Sequence, residues 1–171
     1  LIYRYVMRGW RLGHRLDDHM TDPAVEPVLQ LSRRVQLERH KMLGFLRFTP
    51  LENGVLYAAC EPDYDIVPLM IEHFAERLPG ERFIMHDLRH DTLAFHKPGA
   101  TFVTHAHAPR MAAPHDEYED MWRAFYDAVT IESRLNPRLR DGWMPRRYHK
   151  YLPEMQPRQA KQMPRLAESS L

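Results

Sequence analysis

At 171 residues, with 44% hydrophobic and 27% charged side chains, the chain has the size and make-up of one folded domain around a single sizeable core. Its apolar runs fall far short of the roughly 20 residues a bilayer-crossing helix needs, and no signal-peptide pattern opens it. The lone Cys60 excludes an internal disulfide and a cysteine-based zinc site, which fits a reducing cytoplasm.

Net charge is +1 but unevenly spread. There are nine Lys/Arg against five Asp/Glu in residues 1–47, six against fifteen in 48–133, and nine against two in 134–165. Two readings stand side by side: a polyanion-binding surface made from the termini, or ends that neutralise the middle on folding.

The chain begins at Leu1, without a methionine and already in helical pattern, so we expect a piece of a longer protein. Ile2, Val6 and Trp10 recur every four residues, with Arg4, Arg8 and Arg11 on other faces, which predicts an amphipathic helix over 2–12 ended by Gly13. Thr21-Asp22-Pro23 is a helix-start signal, and Val25, Val28, Leu29, Leu31, Val35 and Leu37 carry that helix to about Met42. Arg33, Arg34, Arg39 and Lys41 form a basic set on it, read as a solvated face or a phosphate contact.

Runs Phe45–Phe48 and Val55–Cys60, with Asn53-Gly54 between them, predict a hairpin. Pro62 ends the second strand, Asp65 is expected to cap the next helix, and Pro68 falls in its first turn. Ile66, Met70, Phe74 and Leu78 make the clearest helical stripe in the chain, stopped by Pro79-Gly80. Three strands follow as an antiparallel meander: Arg82–His86, Thr92–His96 and Thr101–Thr104. A long helix is predicted from about Asp116 to Arg134, broken by Asn136-Pro137. A short one is expected from Met144-Pro145, and a frayed tail from Met155. The fold class is therefore α+β: one domain over 1–155 with an antiparallel sheet of about four to five strands, packed with helices from both termini. Residues 156–171 read as a flexible basic tail.

No GxSxG, P-loop, GxGxxG or HExxH pattern occurs, and no cofactor is implied. The pairs His86-Asp87 and His90-Asp91, and His105-Ala-His107, have metal-like spacing, but scattered surface histidines explain them more simply and no metal site is assigned. Glu61, Asp63 and Asp65 are either a strand exit with a helix cap or an acid–base or cation-binding set. His73 and Arg77, one turn apart, are either a polar helix face or part of the same pocket. Cys60, in an apolar strand, reads as packing. Arg134, Arg138, Arg140, Arg146, Arg147 and Lys150 interleave with Trp143, Tyr148, His149 and Tyr151. Guanidinium groups engage phosphates and aromatic rings stack on unpaired bases, while the alternative is a helix docked by its aromatics.

The order of motifs adds to this. Residues 38–48 (ERHKMLGFLRF), 61–65 (EPDYD), 73–77 (HFAER) and 87–89 (DLR) come first. Residues 122–126 (WRAFY), 131–137 (IESRLNP), 144–148 (MPRRY) and 152–154 (LPE) follow. Together they resemble a bacterial family of probable DNA metabolism or DNA repair proteins, a domain of unknown function, over nearly the whole chain. Members are encoded beside a radical-SAM protein with helix-hairpin-helix elements, or fused to a uracil-DNA glycosylase-like domain. His149 departs from the family, which carries a tryptophan there. The resemblance implies a DNA-binding accessory module in repair or processing with a radical-SAM partner, and no membrane. Arg39, Lys41, Arg47, Arg134, Arg138, Arg146, Arg147, Tyr148 and Lys150 would then meet DNA. The alternatives are an enzyme on damaged or modified DNA, with a pocket from His40, Glu61, Asp63, His73, Arg77 and Asp87, or a pure protein-interaction domain.

Overall fold

The computed structural model describes residues 1–111, 121 and 136–156, with residue 17 for its backbone only. The chain divides into two compact units, Leu1–Asp116 and Glu117–Leu171.

In the first unit, helix α1 (Ile2–Leu12) ends at Gly13, whose φ of 56° is one that glycine adopts without strain. A 3-10 turn over Gly13–Asp18 follows. Asp22 accepts the Ala24 N–H at 2.8 Å and pairs with Arg8 at 2.6 Å. It thus caps the turn before helix α2 (Glu26–Phe45), which starts nearly one turn later than predicted, with Pro27 in its first turn. That helix also runs past its expected end. Met42 and Leu46 are buried, and that burial carries the chain helically through Gly44 into the segment predicted as a strand. Strand β1 is therefore only Thr49–Pro50.

Strand β2 (Leu56–Cys60), helix α3 (Val67–Arg77), and strands β3 (Phe83–Asp87), β4 (Thr92–Lys97) and β5 (Ala100–His105) complete this unit. The five strands lie in the order β1-β2-β3-β4-β5. Three of the four pairings are antiparallel, so the fold is α+β with a mostly antiparallel sheet, as the sequence predicts. The remaining pairing corrects the all-antiparallel expectation. β2 and β3 are parallel, Leu56 opposite Phe83 and Cys60 opposite Asp87, because α3 is a crossover that returns the chain to the edge where β2 began.

α3 packs over β3, β4 and β5. Its stripe behaves as its spacing predicts: Ile66, Val67, Met70, Ile71 and Phe74 are buried while Leu69, Glu72 and Glu76 face out. Phe48 sits edge-on to both Phe74 and Phe83 at 5.2 Å, tying helix to sheet. On that sheet face Ala58, Cys60, Phe83, Met85, Asp87, Thr92 and Ala94 are all buried. β5 is the outer strand, reached through a tight turn at Gly99 (φ 82°), and each of its residues is exposed.

In the second unit, Asn136-Pro137 starts a helix where the sequence suggests only a break. The Asn136 carboxamide oxygen accepts the Leu139 N–H at 3.0 Å and Pro137 sits at the first turn of helix α4 (Pro137–Trp143). The short helix expected from Met144-Pro145 is a 3-10 segment, Arg146–Tyr151, followed by another over Pro153–Met155. Tyr148 and Leu152 are buried. The helix predicted from Asp116 to Arg134, apart from Met121, and the tail from 157 onward lie outside the described residues. Among the described residues no helix is long and apolar enough to cross a membrane.

Met70→Ala removes a fully buried side chain and is expected to lower unfolding free energy by about 2–5 kcal/mol. Leu69→Ala, one residue away on the exposed face, stays within about 0.5 kcal/mol, both read from urea unfolding midpoints.

Candidate functional site

Because β2 and β3 run the same way, the loops after Cys60 and Asp87 leave the sheet side by side at one edge. Ligands in sheets with parallel strands gather beyond such carboxyl ends. Three side chains fix this edge. Glu38, buried on α2, accepts the N–H groups of Asp63 (2.7 Å) and Tyr64 (2.9 Å), one on each carboxylate oxygen. Arg89 reaches across to Asp63 at 2.6 Å. Asp87, fully buried, uses Oδ1 to accept the backbone N–H groups of Arg89 (2.9 Å) and His90 (3.1 Å). Its Oδ2 accepts from the ring Nδ1 of His90 at 2.6 Å.

Further histidines are held beside this turn. His105 Nδ1 lies 3.0 Å from the Thr92 hydroxyl, its direct cross-strand partner. His107 Nδ1 lies 2.9 Å from Asp91, the one described non-glycine residue with positive φ (53°). On the other sheet face, the Tyr57 hydroxyl accepts the Met111 N–H at 3.3 Å and donates to His86 Nδ1 at 2.9 Å. His86 Nε2 then carries the ring proton and is buried with no partner among the described residues.

Burial raises the Asp87 carboxyl above its ordinary value of 3.8, opposed by its bonds from His90 and Arg89. Burial lowers His86 below its ordinary 6.5, opposed by the carboxylates of Asp87 and Asp91, so the ring is neutral in the fold. It also raises Tyr57, and raises Cys60 so far that no thiolate forms at neutral pH.

Of the pocket residues named from the sequence, Glu61, Asp63 and Asp87 come to this edge. His40 is exposed on α2. His73 lies midway along α3, edge-on to Phe74 at 5.3 Å. Arg77 is exposed in the last turn of that helix, which runs away from the edge. The expected Asp65 cap does not form: α3 begins after Ile66 with no side-chain cap, and Asp65 is exposed. Glu38 serves the loop's N–H groups instead. It was readable as a carboxylate on a buried stripe, since Val35, Glu38 and Met42 fall at i, i+3 and i+7. Among the described residues no three His, Cys, Asp or Glu side chains are grouped to hold a metal ion.

The residues named for DNA are placed as follows. Arg39 Nε donates to the Leu69 carbonyl (2.8 Å) and Arg47 to that of Gly44 (2.7 Å), while Lys41 is half-buried on α2. In the second unit Arg138 is exposed, and Arg146 pairs with Asp141 at 2.7 Å while its side chain stays 83% exposed. Arg147 donates to the Tyr148 hydroxyl (2.7 Å) and lies over its ring, and Lys150 lies over Tyr151. Tyr148 is itself buried, which leaves its ring no open face for a base. Trp143, one of the aromatic residues that interleave with the basic set, is 70% exposed. Arg134 lies outside the described residues.

A family profile described as a domain of unknown function, DUF4130, matches residues 1–154, and the chain belongs to that family. Searches of curated proteins and of solved structures returned no match.

Glu38→Ala leaves two N–H groups unserved and is expected to destabilise the first unit by about 1–3 kcal/mol, with faster hydrogen exchange at Asp63 and Tyr64. Acid also tests the site. A histidine whose folded pKa is lowered contributes stability that is complete above about pH 6.5 and drains as pH falls through the lowered value. Asp87, raised in the fold, acts with the opposite sign and in the more acidic window that starts near 3.8. Unfolding midpoints are therefore expected to fall as pH is lowered from about 6.5, and His86→Gln flattens that slope.

Proposed function

We propose that this member of the family of unknown function is a DNA-binding accessory module in DNA repair or processing, working with a radical-SAM partner. The observation that carries the reading is an exposed tryptophan set among arginines. Trp143 closes α4 with 70% of its surface open, in a described stretch, 136–156, that holds five Lys/Arg against two Asp/Glu. Arg138 and Arg146 extend into solvent, where guanidinium groups bridge phosphates, and an open indole face stacks on an unpaired base. Tyr148 acts from beneath, holding Arg147 by its hydroxyl and ring. The ordered motifs that resemble those of a family of probable DNA metabolism proteins support the reading. An enzymatic role on damaged or modified DNA draws on the Asp87–His90 pair. A protein-interaction role draws on α1, where Ile2, Tyr3, Val6 and Trp10 are exposed.

The test is a titration of single-stranded and duplex DNA at two or more salt concentrations. Log K is expected to fall with log salt by about 0.7 per phosphate contact on single strands, and the double variant Arg138→Ala/Arg146→Ala reduces that slope. Trp143→Ala weakens single-strand binding by about 1–3 kcal/mol with little change in slope. Unchanged affinity and slope in both variants overturn the reading.

A further inference from the structure

The hydrogen bonds of Asp87 exceed what a hairpin needs. Its Oδ1 alone closes the turn between β3 and β4, accepting the N–H groups of Arg89 and His90. Its Oδ2 makes no backbone contact and is given to the ring of His90 at 2.6 Å. A carboxylate acceptor at Nδ1 puts the ring proton there and leaves the lone pair on Nε2. The carboxylate is fully buried while the His90 side chain is 27% exposed, so the fixed end is dry and the basic end reaches the surface. Among the described residues Nε2 has no hydrogen-bond partner. Next to it, Arg89 spends one guanidinium nitrogen on Asp63 and keeps its side chain 53% exposed, leaving donors for an oxyanion. Both residues leave from the carboxyl edge of the parallel pair.

We propose that His90, positioned by Asp87, is the general base of a phosphodiester-hydrolysing site in which Arg89 contacts the phosphate. In this step His90 Nε2 takes a proton from water, and the water oxygen attacks phosphorus. The P–O bond to one alcohol breaks, its electron pair leaves on that oxygen, and the imidazolium returns the proton there. Arg89 N–H groups donate to a non-bridging oxygen, where charge develops. Asp87 is a positioning residue that holds the ring by Nδ1. The charged groups around His90 are Asp87, Arg89, Asp63 and Asp91, with His105 and His107 on the adjoining strand end. Choosing a nucleic-acid diester as the natural substrate rests on the DNA-binding reading, whereas the chemistry of the pair does not.

The experiment uses the full chain with two substrates, bis(4-nitrophenyl) phosphate and a labelled single-stranded oligonucleotide, with binding of the oligonucleotide measured in parallel. The expected result is release of nitrophenolate. His90→Gln is expected to lower the rate about 10²–10⁴-fold with oligonucleotide affinity unchanged. Asp87→Asn, which keeps the turn-closing oxygen, is expected to lower kcat with little change in KM, a split that a purely structural carboxylate would not produce. Arg89→Ala is expected to lower kcat more than it raises KM, as the loss of a donor to developing charge does. Oligonucleotide binding with neither substrate cleaved overturns the inference and leaves the DNA-binding reading standing. Cleavage of the small diester without oligonucleotide binding does the reverse. Cleavage that survives His90→Gln in a folded variant, checked by its unfolding midpoint, also overturns the inference.

Discussion

A crossover helix that returns the chain to the edge it came from forces the two strands it joins to end together. In this chain α3 does so between β2 and β3, and that one constraint decides which polar groups meet. An antiparallel arrangement would have sent Asp87 to the far side of the sheet from Glu61 and Asp63. With the strands parallel, one edge collects the loop after β2 and the hairpin after β3. Glu38 comes in from α2 to hold the first, and Asp87 holds the second from within.

The same edge carries an energetic burden. A buried carboxylate and a buried imidazole both oppose the hydrophobic gain around them. Asp87 is offset by three hydrogen bonds, two of them from backbone N–H groups. Among the described residues His86 is offset on one nitrogen only, and His96, stacked on Phe83 at 4.7 Å, has both ring nitrogens buried without a partner. Local packing would be better served by apolar residues at both places. Buried polar groups kept at such a cost concentrate where a fold is specified or used, and here they share the two central strands.

Much of the fold was legible because it follows periodicity. The four-residue recurrence of Ile66, Met70 and Phe74 gave α3 within a residue or two, and α1 followed from Ile2, Val6 and Trp10. Direction was not legible. The Asn53-Gly54 signal drew attention to antiparallel pairing, while a strand, a helix and a strand in succession is also what a parallel crossover looks like. Helix ends went astray where distant burial outweighed local signals, as at Gly44. Asp65 makes no cap, and the loop before α3 is held instead by Glu38, 27 positions before Asp65, a contact that no local window contains. Asp63 and Asp87 were visible as acids. That His90 would be Asp87's ring partner was not, since their bond depends on the hairpin closing first.

The two margins of the sheet are unlike. On one side β1 is two residues long and ends in a proline, which offers no N–H to a newcomer, so the sheet is closed to growth there. On the other side β5 presents six solvent-facing residues in regular extended form, one of them Phe102, which stacks on Phe95 at 4.9 Å. Its outer row of N–H and C=O groups points away from β4. Among the described residues the sheet therefore has a polarity across its strands: its open row of main-chain groups lies at β5, next to Thr92 and His105, on the side where the histidines stand.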